Sequence, residues 1–295
     1  MTLTPELKNL VDALQHEKII CLLAPSFAVD FTYPDIILDI KKIGVEKVVE
    51  LTYAAKLING EYEKTLKENP DKRYICPNCP TIVKMIGIKY PELKENIINI
   101  ASPMVIMDRF VKSEYGSEYK TLFAGPCLMK KMEAKEYGIN YAITFKELQN
   151  IFDYYKENNI APKQFTYSMA EDGTPEFDDF FNTSTKIYPL AGGVAQSLHT
   201  KGIIDKDQIL VVDGPKNLDA GFQEFKNNKN IRFLDILACE GGCIGGPGII
   251  CKESLDARKK KVLDYKEYSK KHKDASKVGK IKYSEGLDTS RSPQH

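Results

Sequence analysis

The run Leu237-Ala238-Cys239-Glu240-Gly241-Gly242-Cys243-Ile244-Gly245-Gly246-Pro247-Gly248 constrains this chain more than any other. It follows directly on the apolar segment Ile231-Arg232-Phe233-Leu234-Asp235-Ile236. A strand there delivers two thiols to one edge of a sheet. The glycines let the backbone approach something bulky and take angles closed to residues with a Cβ. Thiolates beside bare backbone suit an iron–sulfur cluster, whose sulfides accept hydrogen bonds from nearby amides. Five glycines in so short a span exceed what a plain turn needs.

A chain of 295 residues is long enough for one large or two ordinary domains. The formal net charge of +1 implies neither a nucleic-acid nor a membrane partner. No apolar run is long enough to cross a bilayer. The start, Met1 to Lys8, lacks the apolar core of a secretory signal, so the cytoplasm is the expected compartment. Seven cysteines in a reducing compartment argue for metal or redox chemistry over disulfides.

Short apolar segments alternate with amphipathic ones. Strands are expected over 18–24, 45–51, 73–75, 121–124, 208–213 and 232–237, each rich in Ile, Val and Leu as buried parallel strands are. Helical spacing covers 34–43, 53–67, 82–90, 104–114, 145–157 and 216–227. The alternation predicts an α/β fold with mainly parallel sheets flanked by helices. Sites in such sheets form beyond the carboxyl ends of strands. Cys76 and Cys79, then Cys127, then Cys239 and Cys243 each follow a strand. From about Lys252 the composition turns Lys-rich. The expected division is a domain over 1–255 and a C-terminal part over 256–295, with a surface helix at 256–271 and a loosely ordered tail from 273.

Three cysteine motifs stand in order: Cys76-Pro77-Asn78-Cys79-Pro80, Gly125-Pro126-Cys127-Leu128-Met129-Lys130, and the opening run. A four-cysteine cluster needs thiolates converging from separate loops, and Cys79, Cys127, Cys239 and Cys243 supply that set. Pro80 begins a helix, where proline is tolerated. Cys127 also precedes a helical segment, so positive helix ends help hold the thiolates. The rival is zinc on Cys76, Cys79, Cys239 and Cys243, which leaves Cys127 and Lys130 without a purpose.

In this order the motifs resemble the active-site signatures of iron–iron hydrogenases. Those read roughly Cys-Pro before a helix, Pro-Cys-x-x-Lys, and Ala-Cys-x-Gly-Gly-Cys-x-x-Gly-Gly. Ala24-Pro25-Ser26, Tyr90-Pro91-Glu92-Leu93, Ser102-Pro103 and Ala191-Gly192-Gly193-Val194 also correspond, so the resemblance spans about 19–250. It implies two α/β lobes with a metal cofactor, the H-cluster, in the cleft between them. A 4Fe–4S cubane would be held by Cys79, Cys127, Cys239 and Cys243. The last would bridge to a two-iron unit carrying CO, cyanide and an aza-dithiolate. Lys130 would donate to a cyanide, with Ser26 beside it. Ala24, Pro25, Pro126, Gly192, Gly193 and Gly245 would line the cofactor. The activity implied is 2 H⁺ + 2 e⁻ ⇌ H₂. The implied partners are an electron-transfer protein or a sensory, signalling domain, together with maturation proteins.

The chain departs from the prototypes at informative places. They carry a proton-donating cysteine where this chain has Asn78, and an amide does not titrate. Cys76 is the candidate substitute, and Glu61 lies near the start of the family's glutamate proton path. The prototypes place methionine where this chain has Gly125 and Leu237. These departures resemble the sensory branches of the family. They imply a slow enzyme with a sensory or regulatory role; the alternatives are a non-catalytic H₂ or redox sensor, and a 4Fe–4S-binding or assembly protein lacking the two-iron unit, against which Lys130 and the intact third motif count.

Overall fold

The computed structural model describes residues 2–170, 173–180, 182–183, 185–199, 201–272 and 286–291. Along the chain come α1 (Pro5–His16), β1 (Ile19–Leu23), α2 (Asp35–Lys42), β2 (Lys47–Glu50), α3 (Thr52–Glu68), β3 (Tyr74–Ile75), α4 (Pro80–Lys89), α5 (Pro103–Tyr115), β4 (Lys120–Gly125), α6 (Leu128–Glu136), β5 (Tyr141–Thr144) and α7 (Phe145–Glu157). Then follow β6 (Ser168–Met169), β7 (Pro175–Glu176), α8 (Gly193–His199), β8 (Ile209–Asp213), α9 (Leu218–Asn227), β9 (Phe233–Leu237) and α10 (Leu255–Lys271).

Two parallel sheets result. The first has the order β2-β1-β4-β5 and the second β3-β9-β8. Every residue of β1 and β9 is buried, as expected of strands covered on both faces. The register sets Leu23 of β1 beside Ala124 of β4, and Ile75 of β3 beside Leu234 of β9. Being parallel, neighbouring strands release their loops on the same side, although β3 ends opposite Leu234, three residues before the end of β9. The larger apolar core is built around the first sheet and takes in Tyr74 of β3 and Phe233 of β9, while the second sheet has a further, smaller core. This smaller core is built on Ile75, Ile86, Val212, Phe222, Phe225 and Leu234.

The lobes interleave. α3 carries the chain from the first sheet to β3 of the second, and α5 carries it back to β4. After α7 the chain crosses again and is clamped to α2 and β2 of the first lobe by buried ion pairs. Lys41 lies 2.8 Å from Asp178. Lys186 meets Glu50 at the end of β2, where the Tyr265 hydroxyl of α10 also donates to Glu50 at 2.9 Å.

All six expected strands and six expected helices are present with ends shifted by a few residues. α1, β5 and the short pair β6 and β7 were not foreseen. β5 is only four residues long and runs straight into the capping box of Thr144 and Glu147 that opens α7. The division at 255 does not mark a packing boundary, because Val262 and Tyr265 of α10 lie in the first core. In the expected loose tail, residues 273–285 and 292–295 lie outside the described residues. Residues 286–291 dock near α5, where Ala101 donates to Thr289 O at 2.9 Å and Arg109 to Asp288 O at 2.7 Å. Among the described residues no helix is long and apolar enough to cross a membrane.

Candidate metal centre

Both sheets turn their carboxyl ends to one cavity of about 90 Å³. Its wall is made of residues that follow strands: Ala24, Pro25 and Ser26 after β1, Leu51 and Thr52 after β2, Asn78 after β3, Pro126 and Cys127 after β4, and Cys243 after β9. Lys130, Met104, Phe123, Tyr188, Val194 and Leu237 are among the other lining residues. Gly125 leaves room that the Phe123 ring fills, since a Cβ there would lie 2.4 Å from the ring. The volume expected of methionines near the second motif is thus partly taken by Phe123, which the sequence pattern did not single out.

The thiols arrive from three loops. Cys79 caps α4, with Pro80 in the first helical position. Cys127 caps α6. Cys239 follows β9, and Cys243 opens a short 3-10 turn to Gly245. The glycine-rich loop between them is pinned to its surroundings. Gly241 N–H donates to Asp213 Oδ2 at 2.6 Å. Cys243 N–H donates to Pro189 O at 2.7 Å, and Gly248 N–H to Pro126 O at 2.8 Å. Gly242 has φ +83°, and a Cβ on it would stand 2.6 Å from Pro189 O. The bulky neighbour expected of these glycines is thus, in this structure, other backbone. Gly245 faces Glu240 O, Gly193 faces Ile187 O and Gly192 faces Val211; these three glycines stand behind the wall and outside the cavity lining.

Every pair among Cys79, Cys127, Cys239 and Cys243 interacts electrostatically, which places the four together. Burial pushes the Cys239 thiol up to about 11, and Cys79 and Cys127 add to the rise. Burial raises Cys243 further, again with help from its neighbours. At Cys127 burial also raises the thiol, while the Lys130 ammonium and the first-turn amides of α6 pull it back. Among the described residues no three Cys, His, Asp or Glu side chains stand ready to hold one metal ion. Zinc would need its sulfurs about 2.3 Å from one centre.

The cavity wall also fits a polar cofactor. The hydroxyl oxygens of Ser26 and Thr52 are buried with no hydrogen-bond partner among the described residues, a state that costs free energy unless a further group is bound. Lys130 Nζ lies 2.5 Å from Glu133 Oε2, one turn along α6, with the side chains only 11% and 7% exposed. An ammonium has three donors, so this pair leaves Lys130 able to donate elsewhere. Glu133 went unnoticed in the sequence, although Lys and Glu three apart on a helix share a face.

Two expected proton carriers lie elsewhere. Glu61 is half-exposed on α3 and outside the cavity lining, whereas the inward positions of that helix carry Asn59 and Tyr62. Cys76 is buried behind the wall, with its Sγ 3.7 Å from the Tyr62 hydroxyl. That hydroxyl donates to Asn78 Oδ1 at 2.9 Å. The Tyr188 hydroxyl donates likewise to Asn59.

Residues 17–247 match the family described as iron only hydrogenase large subunit, C-terminal domain. Iron hydrogenase 1 of Clostridium pasteurianum is 24% identical over 75% of this chain and 46% of its own length, so the chain spans about half of that relative. A structure reporting stepwise FeFe-hydrogenase H-cluster assembly aligns over 97% of this chain and 93% of its own, with TM-score 0.63 and 13% identity. FeFe-hydrogenase HydA1 from Chlamydomonas reinhardtii, as a variant, aligns over the same shares with TM-score 0.65 and 14% identity. These likenesses show a shared fold, and the family implies an iron–sulfur H-cluster. On the match over residues 17–247, this chain belongs to the family formed by the C-terminal domain of the iron-only hydrogenase large subunit.

Proposed function

We propose that Cys79, Cys127, Cys239 and Cys243 hold a 4Fe–4S cubane, and that the adjoining cavity holds a two-iron unit with CO, cyanide and aza-dithiolate ligands. The observation that carries this reading is the sharing of Cys127 and Cys243 between the four-thiol group and an apolar cavity with unpartnered hydroxyls. When bound, the cofactor would relay electrons exchanged with a partner and supply the reactive centre for 2 H⁺ + 2 e⁻ ⇌ H₂.

The chain's own residues bind, orient and exclude water. Cys243, which like Cys127 lies on the cavity wall, is the thiol that the family resemblance would assign to joining the two metal units. Lys130, steadied by Glu133, supplies a charged donor for an anionic cyanide. Ser26 and Thr52 supply hydroxyls, and Pro25, Phe123, Pro126 and Leu237 keep bulk water out. Asn78 holds no transferable proton at the wall. Its neighbours Tyr62 and Cys76 are held protonated by burial, which raises both. Proton delivery is therefore the weak part of the site. This favours slow turnover and a sensory or regulatory role, with an electron-transfer protein or signalling domain as partner and maturation proteins as the source of the two-iron unit.

The first test is iron–sulfur reconstitution under anaerobic conditions. The wild type should take up the iron and sulfide of one cubane per chain. Cys127→Ala and Cys239→Ala should each lose most of it, and unchanged iron content in both would refute the ligand assignment.

A further inference from the structure

Asn78 does more than lack a proton. Its carboxamide oxygen accepts from the Tyr62 hydroxyl at 2.9 Å. A phenol has one proton, so once it points at Asn78 the Tyr62 oxygen meets Cys76 as an acceptor. The Cys76 thiol, kept protonated by burial, gives its weak S–H to that oxygen. Tyr62 is rigidly placed. It is fully buried on α3, with its ring edge-on to Phe233 of β9 at 5.9 Å between centroids.

A carboxamide presents its oxygen and its nitrogen on opposite sides. Asn78 lines the cavity, and its oxygen is taken from behind. We propose that Tyr62 is a positioning residue: it pins Asn78 Oδ1 and turns the Asn78 amino group into the cavity as a fixed hydrogen-bond donor to the two-iron unit. This rests on the reading that the cavity holds that unit. The wall then meets the cofactor at this point with a donor whose proton cannot leave. Such a contact tunes and reports the state of a bound group without relaying protons to it.

The test uses infrared spectra of the protein loaded with cubane and two-iron unit, in wild type, Asn78→Ala, Tyr62→Phe and the double variant. Asn78→Ala should shift the CO bands, and Tyr62→Phe should shift or broaden them too. The double variant should match Asn78→Ala alone, because Tyr62 acts only through Asn78. Unchanged bands in Tyr62→Phe, or shifts that add in the double variant, overturn the proposal. Absence of any CO or CN band in wild type refutes the two-iron reading instead. The orientation of Asn78 is then read from ¹⁵N side-chain amide signals of the unloaded protein, where Tyr62→Phe must move the Asn78 pair and a fixed pair overturns the proposal. If Tyr62→Phe does not fold, the wild type decides it: loading the cavity must shift or broaden the Asn78 amide signals, and unchanged signals count against the donor assignment.

Discussion

Asn78 is the residue on which the chemistry turns. Restoring a titrating group at that position should restore a proton donor, so Asn78→Cys should raise H₂ turnover of the loaded protein by at least about tenfold. A native chain as fast as Asn78→Cys would contradict the account. Asp235 in β9 gives a separate test. Burial lifts its carboxyl from 3.8 to about 6, against hydrogen bonds from the Ala195 and Val194 amides. The folded chain thus binds this proton more tightly than the unfolded chain. Stability should fall as pH rises from about 3.8 to about 6 and stay lower above that, by a quantity on the order of 3 kcal/mol. Asp235→Asn removes the titration. Its unfolding temperature should exceed that of wild type above pH 6 and lose the advantage toward pH 4, while parallel pH profiles would contradict the assignment. The position of the cysteines beyond strand ends was legible from their motifs, and that of Lys130 from the family resemblance those motifs carry. Glu133, Phe123, Asn59 and Tyr62 were not, because each acts through a neighbour distant in sequence or through a helix face whose register the sequence leaves open.

At the scale of elements, the crossing segments hold the site in shape. Lys186 and Glu50 are 1% and 2% exposed and join the segment before α8 to the end of β2, with Tyr265 of α10 bonded to both. Lys186→Met leaves Glu50 buried without its cation and should destabilise the chain by about 3–5 kcal/mol in urea unfolding. Adding Glu50→Leu should recover much of that loss, and a double variant no more stable than the single one would show that the pair acts otherwise. The strands were readable because buried parallel strands are short apolar runs. β5 escaped because Tyr141-Ala142-Ile143-Thr144 is brief and merges with a helix start, so its identity comes from pairing with β4 rather than from its own pattern. The ion-pair clamps were invisible, since nothing local marks Lys41 and Lys186 as buried.

Across the whole molecule, the order of motifs along the chain follows from the interleaved lobes. Cys79, Cys239 and Cys243 come from loops of the second sheet and Cys127 from the first, so the group of four thiols is complete only when both sheets are formed. Loading the cubane should therefore protect amides of both sheets from hydrogen exchange together. Protection confined to one sheet would contradict the shared site. The α/β class and the position of the site beyond strand ends were evident from alternation and motif placement, whereas the interleaving depends on long-range pairings that no local pattern encodes. The most direct test of the central claim is infrared spectroscopy after anaerobic reconstitution and supply of the two-iron unit. The account predicts CO and CN stretches that appear in wild type and vanish in Cys243→Ala, and a cubane-loaded wild type with no such bands would contradict it.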